Sequence, residues 1–273
     1  MSALTFTLQK ALQFSINCSA LTPNHLANKS VSEIASLLIH YGKNQLRVDE
    51  LFNISGHDTQ NIHFKNASHQ FDYLGANMSS GHIHIEGDAG AYLGFGLKQG
   101  VIHCLGSTLA FAACNMQNGL ITIEGNTGDF LGGASAGLRK GMSGGTVVVK
   151  GNAGDRVGDQ MRRGLILIEG NAGDYCASRM IAGTIGILGN VGNYTGFNMK
   201  RGTLLLTKIP QLHATMQDCG THTLPFLSLM FKYFATFETK FSSFSALRAQ
   251  RFVGDSACNG YGEILVISPD LTS

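Results

Sequence analysis

Several features common in enzymes and membrane proteins are scarce or missing in this chain. No uninterrupted run of about 18 apolar residues occurs in its 273 residues, so no segment is expected to span a membrane. The N-terminal stretch MSALTFTLQKALQFSIN has no basic patch leading into a long apolar run, which argues against a secretory signal peptide. Neither sign of charge dominates. Twenty Lys and Arg against 18 Asp and Glu leave a net charge of +2, so charge supplies no reason to expect nucleic acid. Six cysteines, at 18, 104, 114, 176, 219 and 258, contain no CxxC pair. They are expected to be buried or surface thiols in a reducing cytosol rather than zinc or iron–sulfur ligands. A soluble cytoplasmic protein of one or two domains follows.

Tryptophan is absent and proline occurs 4 times, whereas glycine occurs 35 times. That is nearly double the usual share of about 7%, yet far from the third that collagen needs. The glycines are periodic. They fall at 81, 100, 119, 145, 164, 183 and 202, and again at 87, 106, 125, 151, 170 and 189. The spacing is 19 residues, with one 26-residue step where GGASAGLRKGMSGG, 132–145, carries a seven-residue insert. A degenerate repeat precedes them, in which Gly75 matches Gly94 and Phe64 and Asn66 match Ile83 and Ile85.

Counting from each first glycine, positions two and four are Ile83/Ile85, Ile102/Cys104, Ile121/Ile123, Val147/Val149, Ile166/Ile168, Ile185/Ile187 and Leu204/Leu206. Apolar, often β-branched residues at period two mark strands with one buried face. Strands running the same way every 19 residues must pair in parallel, and 19 residues cannot hold a strand, a crossover helix and a turn, which take about 30. The chain must therefore coil. The expected fold is mainly β, a single-stranded parallel β-helix of about eight 19-residue coils with a small N-terminal α+β cap and a C-terminal helical and strand extension. The expected divisions are 1–60, 61–207 and 208–273. The column Met78, Leu97, Met116, Met142, Met161, Met180 and Met199 suits an interior corner, since Met fills irregular gaps.

Outward positions one and three include Leu120, Val148, Leu165, Leu167 and Leu205, an apolar stripe that calls for a cover from the chain's own termini or from a partner. In the cap, SVSEIASLLIHYG reads as a helix with Ser30 as N-cap, Glu33 completing a capping box and Gly42 ending it. LPFLSLMFKYF, 224–234, reads as a helix burying Phe226, Leu227, Met230 and Phe234, and EILVI near the end reads as a strand.

Little catalytic chemistry is visible. GNAGD lacks the Lys-Ser/Thr of a phosphate loop, and because GxxGxxxG recurs in nearly every repeat, tight turns explain it better than a ligand. Asp129, Asp155 and Asp174 stack at the repeat spacing but without the GGxGxD nonapeptide of calcium β-rolls. His63 and His82 share position one and His84 and His103 position three, with Glu86 as the nearby carboxylate; they form an outward patch. Basic residues precede the repeat glycine: Lys98, Arg162-Arg163 and Lys200-Arg201, with Arg139-Lys140 in the insert. The two later pairs lie two strands apart, about 10 Å, a spacing that suits either a groove for a polyanionic chain or a solvated edge.

The repeats GDAGAYLG, GNTGDFLG and GNAGDRVG resemble the C-terminal β-helix domain of glutamate synthase over about residues 66–206. The whole chain is more similar to the C-subunit family of formylmethanofuran dehydrogenase, in its methylotroph version the formyltransferase/hydrolase complex. The diagnostic stretches are LTPNHLANKSVSEIASLLIHYG, VDELFNISG, LRKGMSGGTVVVKGNAGD, RMIAGTIGILG and FVGDSACNGYGEILV, which include both termini. The resemblance implies a right-handed coil and a four-subunit assembly in tetrahydromethanopterin-linked one-carbon metabolism. One partner is a formyltransferase subunit acting on a methanofuran-type cofactor, another an amidohydrolase-like subunit that releases formate. In the molybdenum or tungsten relatives a redox subunit takes part. The family member itself is implied to be a scaffold with no catalytic residue or metal, binding neither nucleic acid nor membrane. Because methanofuran-type cofactors carry glutamate-rich arms, the resemblance gives Arg139, Lys140, Arg162, Arg163, Lys200 and Arg201 a role along the path of that arm. The competing readings are a glutamate-synthase-like domain and a hexapeptide-repeat acyltransferase; the latter coils in multiples of six, which a period of 19 opposes.

Overall fold

The computed structural model describes residues 2–245 and 247–267. Strands β1 (Ala3–Leu8) and β2 (Ile16–Asn17) are followed by helices α1 (Pro23–Leu26) and α2 (Val31–Ala35). Next come the hairpin β3 (Leu38–Tyr41) and β4 (Asn44–Arg47), α3 (Val48–Leu51) and β5 (Phe52–Ser55). The repeats supply β6 (Asp58–Ala67), β7 (Phe71–Asp72), β8 (His82–Gly87), β9 (Val101–Cys104), β10 (Leu120–Ile123), β11 (Ser143–Val149), β12 (Arg163–Ile168), β13 (Thr184–Ile187) and β14 (Thr203–Leu206). The chain ends in β15 (Gln217–Thr223), α4 (Phe226–Phe234), β16 (Arg248–Gly254) and β17 (Gly262–Val266).

Thirteen of the described strands form one sheet, ordered β15-β16-β17-β14-β13-β12-β11-β10-β9-β8-β6-β1-β5. From β1 through the repeat strands to β17 every neighbour runs parallel. The fold is thus mainly β, with a large sheet that is parallel over most of its width. Both terminal segments extend this sheet. β1 lies beside β6, and β17 beside β14, so EILVI does form a strand and continues the parallel series past Leu206.

Register follows the alternation. Ile83, Ile102, Ile121, Val147, Ile166, Ile185 and Leu204 pair side by side and are fully or almost fully buried. A second row of parallel bridges joins Ala89, Thr108, Thr127, Ala153, Ala172 and Val191. The Met column is fully buried. Between these rows the turns are tied from repeat to repeat. Asn126 Oδ1 accepts the Asn152 amide at 2.8 Å, Asn152 that of Asn171 and Asn171 that of Asn190. Asp129, Asp155 and Asp174 accept the amides of Asp155, Asp174 and Asn193 at 2.7–2.8 Å. GxxGxxxG is the negative of these side chains: a Cβ on Gly173 would meet Asp155 Oδ1, and one on Gly158, at φ +66°, would meet Ile185 Cδ1.

A further column is not anticipated by the alternation. Tyr73, Tyr92, Phe111, Phe130, Arg156, Tyr175 and Tyr194 all have φ near +60° and form one stack. Neighbouring rings are parallel at 4.7–4.9 Å, and the Arg156 guanidinium bridges the single gap, 4.5 Å over Tyr175 and 5.8 Å from Phe130. Offset stacking and cation–π attraction offset part of the cost of left-handed backbone at non-glycine residues.

The outward apolar stripe is covered, over its upper half, by the chain itself. Leu165, Leu167, Leu205, Leu265 and Ile267 pack against Leu227, Phe231 and Phe234 of α4 and against Phe241. Gly186, level with Leu167 and Leu205, leaves the space that the Phe241 ring occupies.

Three expectations need correction. First, the capping box at Ser30 and Glu33 is present, but α2 ends at Ala35. Leu38–Tyr41 is a strand, and Gly42 sits in the β3–β4 turn with its N–H bonded to the Ser15 carbonyl. Pairing of β3 with β2 and β4 overrides the local helical pattern. Second, α4 buries Leu227, Phe231 and Phe234, while Phe226 is 42% exposed and Met230 only partly covered, because the sheet lies against the i, i+4, i+7 face. Third, Phe64 pairs with Ile85 and Ile62 with Ile83, and Asn66 is exposed. The first repeat takes two extra residues between strand and corner, so a match anchored on Gly75 slips by two. A slip of two keeps each side chain on its face, which is why Phe64 is buried as expected despite the wrong partner.

Gly158 and Gly137 both have positive φ, but a Cβ at Gly137 would meet nothing within 4 Å. Gly137→Ala should therefore cost about 1–2 kcal/mol of backbone strain. Gly158→Ala should add about 1–3 kcal/mol of overpacking against Ile185. Urea unfolding midpoints compare the two; equal midpoints would refute this account of the turn.

Candidate functional site

The described residues offer three surface features: a basic edge, a histidine ladder and a groove. The basic edge arises where the chain leaves the Met corner and enters a strand. Arg162, Ile181 and Lys200 are one column, since their amides donate to the carbonyls of Met142, Met161 and Met180. Arg162 and Lys200 are thus two strand spacings apart, about 10 Å. Arg163 begins β12 opposite Ser143. The insert folds against this corner, with Arg162 Nη2 donating to the Arg139 carbonyl at 3.3 Å. Lys200 and Arg201 stand beside the C-terminal segment, where the Tyr261 amide donates to the Lys200 carbonyl. Arg139, Lys140, Arg162, Arg163, Lys200 and Arg201 are all exposed. None of the six forms an ion pair among the described residues. The geometry joins the insert to the Arg162 corner and leaves Lys200-Arg201 as a separate cluster further along.

The histidines differ from expectation by the same two-residue slip. His63, His84 and His103 occupy one column, on β6, β8 and β9, while His82 lies opposite Asn61 and Val101. Successive rings are 5.2 Å apart, inclined at 51° and 63°. A carboxylate does accompany them: Glu124 Oε1 lies 3.0 Å from His103 Nε2. Glu124 therefore turns toward His103, while Lys150 pairs with Glu169 at 3.4 Å. Desolvation, then the neighbouring His103 and His63, hold His84 below the ordinary histidine value. Among the described residues no three His, Cys, Asp or Glu side chains are grouped so as to hold a metal. The stacked aspartates use their oxygens on backbone amides instead.

The groove runs across the strands between the outward face and α4, with a volume of about 830 Å³. Its floor is position one of six successive strands, His82, Val101, Leu120, Thr146, Leu165 and Thr184, together with the glycines that precede the first five. Met230, Tyr233, Phe234 and Phe237 form one wall; Ser80, Gln99 and Asn118 form the opposite rim. No carboxylate lines it. Sequence reasoning missed this groove because it exists only once α4 folds back. It also missed buried Asp159, held by Ser178 Oγ at 2.7 Å and Arg179 Nε at 2.9 Å. The aromatic ladder was legible as a 19-residue spacing from Tyr73 to Phe130.

The thiols are poorly suited to nucleophilic chemistry. Burial pushes Cys104 up to about 11 and Cys114 and Cys176 up to about 12, and raises Cys18 further; a protonated thiol is a weak nucleophile.

Over almost its full length the chain is similar to a solved protein. A chain in the crystal structure of the formyltransferase/hydrolase complex (FhcABCD) from Methylorubrum extorquens, in complex with methylofuran, superposes with a TM-score of 0.88 at 36% identity. The match covers 96% of this chain and 98% of that one. A shorter stretch of 95 residues, 33% of this chain, is 32% identical to the C subunit of the molybdenum-containing formylmethanofuran dehydrogenase 1 of Methanosarcina barkeri (strain Fusaro / DSM 804). The chain belongs to the C-subunit family of formylmethanofuran dehydrogenase. The stretch matched in the Methanosarcina protein spans about a third of that relative, 32% of its length. No protein-family model matches the chain. Among the described residues no helix is long and apolar enough to cross a membrane.

Two solution measurements follow for this family member. In NMR titration, His84 should titrate below an ordinary histidine, about 6.5, and His103→Asn should move it upward. Because its folded value is depressed, its contribution to stability is present above pH 6.5. That contribution falls as pH drops from 6.5 to the folded value, where the unfolded chain binds the proton first. A His84 value at or above that of free histidine would contradict the ladder. With Ellman's reagent, Cys219 and Cys258 should react in the native protein, and Cys18, Cys104, Cys114 and Cys176 only after denaturation.

Proposed function

We propose that this chain is the non-catalytic scaffold of a formyltransferase/hydrolase complex, its C subunit, in an assembly that takes formyl groups from a tetrahydromethanopterin-linked pathway to formate. The observation that carries this reading is the full-length likeness, 36% identity at TM-score 0.88, to a chain of such a complex. The structure supports a scaffold in a second way: its ordered polar side chains are engaged in holding repeats together, as with the Asn126 and Asp129 columns. On this reading the partners are a formyltransferase subunit, an amidohydrolase-like subunit and a fourth chain, with the protein in the cytoplasm.

The fold that fits this role is a single-stranded, right-handed parallel β-helix over 61–207, with an α+β cap over 1–60 and an extension over 208–273. The strand column, the bridge column from Ala89 to Val191 and the left-handed column of stacked rings would be its three recurring features. A parallel β-helix presents flat, rigid faces along its length, which suits a part that holds catalytic subunits at fixed separation.

The basic edge has a specific job in this reading. Arg139, Lys140, Arg162, Arg163, Lys200 and Arg201 guide the glutamate-rich arm of a methanofuran-type cofactor, through charge-assisted contacts of guanidinium and ammonium groups with carboxylates. Lys200→Glu combined with Arg201→Glu should weaken cofactor retention by at least about tenfold, the effect of replacing two attractive charges by two repulsive ones. The subunits should still copurify on a tag carried by this chain. Unchanged retention would remove the arm from this edge, and a tag that recovers no companion subunit would remove the scaffold reading.

The second reading is the equivalent subunit of a molybdenum- or tungsten-containing formylmethanofuran dehydrogenase, favoured by the 95-residue likeness to the Methanosarcina protein. Metal analysis of the purified complex separates them. Stoichiometric molybdenum or tungsten supports the redox enzyme; formate release without an electron acceptor supports the hydrolytic one.

A further inference from the structure

Resting on the reading of this chain as one subunit of a complex, we propose that the groove beside α4 is the seat of an amphipathic helix from a partner subunit, a helix with an apolar face and an acidic edge.

The groove is open where the chain's own cover stops. α4 and Phe241 bury Leu165, Leu167 and Leu205, but Val101 and Leu120, on the same outward face of earlier strands, are only half covered. α4 contributes Met230 and Tyr233 to the groove wall, and Tyr233 is 53% exposed. Met230 and Tyr233 on α4 and the uncovered part of the sheet face, Val101 and Leu120, therefore form one continuous apolar angle with a vacant interior.

Its dimensions select the occupant. Six strands, β8 to β13, floor the groove. The part of this floor that α4 leaves uncovered, His82, Val101 and Leu120, spans three strands, two spacings of about 4.8 Å or a run of about 10 Å, the length of about two turns of helix; Thr146 and Leu165 are already buried beside α4. An extended segment fits poorly, since β8 to β13 are hydrogen-bonded on both sides and their floor offers no free N–H or C=O. A helix satisfies its own backbone and needs only apolar contact.

The rims select the charge. Opposite α4 the groove is bordered by Ser80, Gln99 and Asn118, with exposed Lys98 beside Gln99 and exposed Arg163 beside Gly164. Neither basic residue forms an ion pair among the described residues. No carboxylate lines the groove; Glu238 adjoins Phe237 at the end of the α4 wall. Hydrogen-bond donors with Lys98 beside them on one rim, and aromatic rings on the other, fit a helix that turns apolar residues to the floor and α4 and Asp or Glu residues to Lys98.

The test uses the complex, coexpressed and purified through a tag on this chain. Val101→Glu and Tyr233→Glu each place a carboxylate in the groove at half-covered or exposed positions and should reduce retention of one companion subunit by at least about tenfold. Tyr233→Phe should retain it, and the melting temperature of the free variants should match the parent, separating lost docking from lost folding. Lys98→Glu should weaken the same subunit and flatten the salt dependence of its association. A photo-crosslinker in place of Tyr233 should attach to a partner stretch with apolar residues at i, i+3 and i+4 and adjacent acids. Retention of every subunit by both groove variants would overturn the proposal. So would crosslinking to this chain or to a second copy, or loss of the cofactor alone. In each of those cases companions are still recovered, so the scaffold reading survives; recovery of no companion by the parent chain would instead end both.

Discussion

A side-chain oxygen in one repeat accepting a backbone N–H of the next is the contact on which the rest of the structure depends. The Asn126 and Asp129 columns repeat this bond at 2.7–2.8 Å along the turns. It converts turn amides, which lie outside the strand ladder, into a second ladder, so the backbone at the corners is satisfied within the protein. It also explains the glycines. The oxygen reaches its amide only because the residue facing it has no side chain, as at Gly173 opposite Asp155.

Once the corners are tied, spacing is imposed on everything else. Side chains at equivalent positions come about 4.8 Å apart, close enough that columns become ladders: aliphatic inside, aromatic at the left-handed turn, imidazole on the outward face. Their character follows from exposure. Rings at the turn stack with a guanidinium filling the one break at Arg156, whereas three outward imidazoles at 5.2 Å partly desolvate one another and disfavour protonation of the middle one. A regular body of this kind has little means of building a deep pocket. The groove arises where regularity ends, between the sheet face and α4.

That placement bears on function. In the repeats the ordered polar side chains of the Asn126 and Asp129 columns are engaged internally. The irregular parts, the insert with Arg139 and Lys140 and the returning helix α4, lie where the regular surface is interrupted. The full-length likeness to a chain of a methylofuran-containing complex gives these two parts their context: one is basic and exposed, the other apolar and partly uncovered.

The sequence alone determined the strands and their inward faces, because a period of two with β-branched residues is a local property that every repeat restates. It also determined the corner columns, since a 19-residue spacing of Asn, Asp and Met survives no other register. The aromatic column keeps the same spacing from Tyr73 to Phe130, but only the structure shows that its rings meet and that Arg156 bridges the break. The structure alone decided the first repeat, where two extra residues moved His63 beside His84. It decided Leu38–Tyr41, whose helical pattern yields to pairing with β2 and β4. It decided which outward leucines are covered, because Leu165, Leu167 and Leu205 read like Leu120 until α4 returns over them. In each case the deciding contact joins residues distant in the chain, and a preference carried by neighbours in sequence has no term for it.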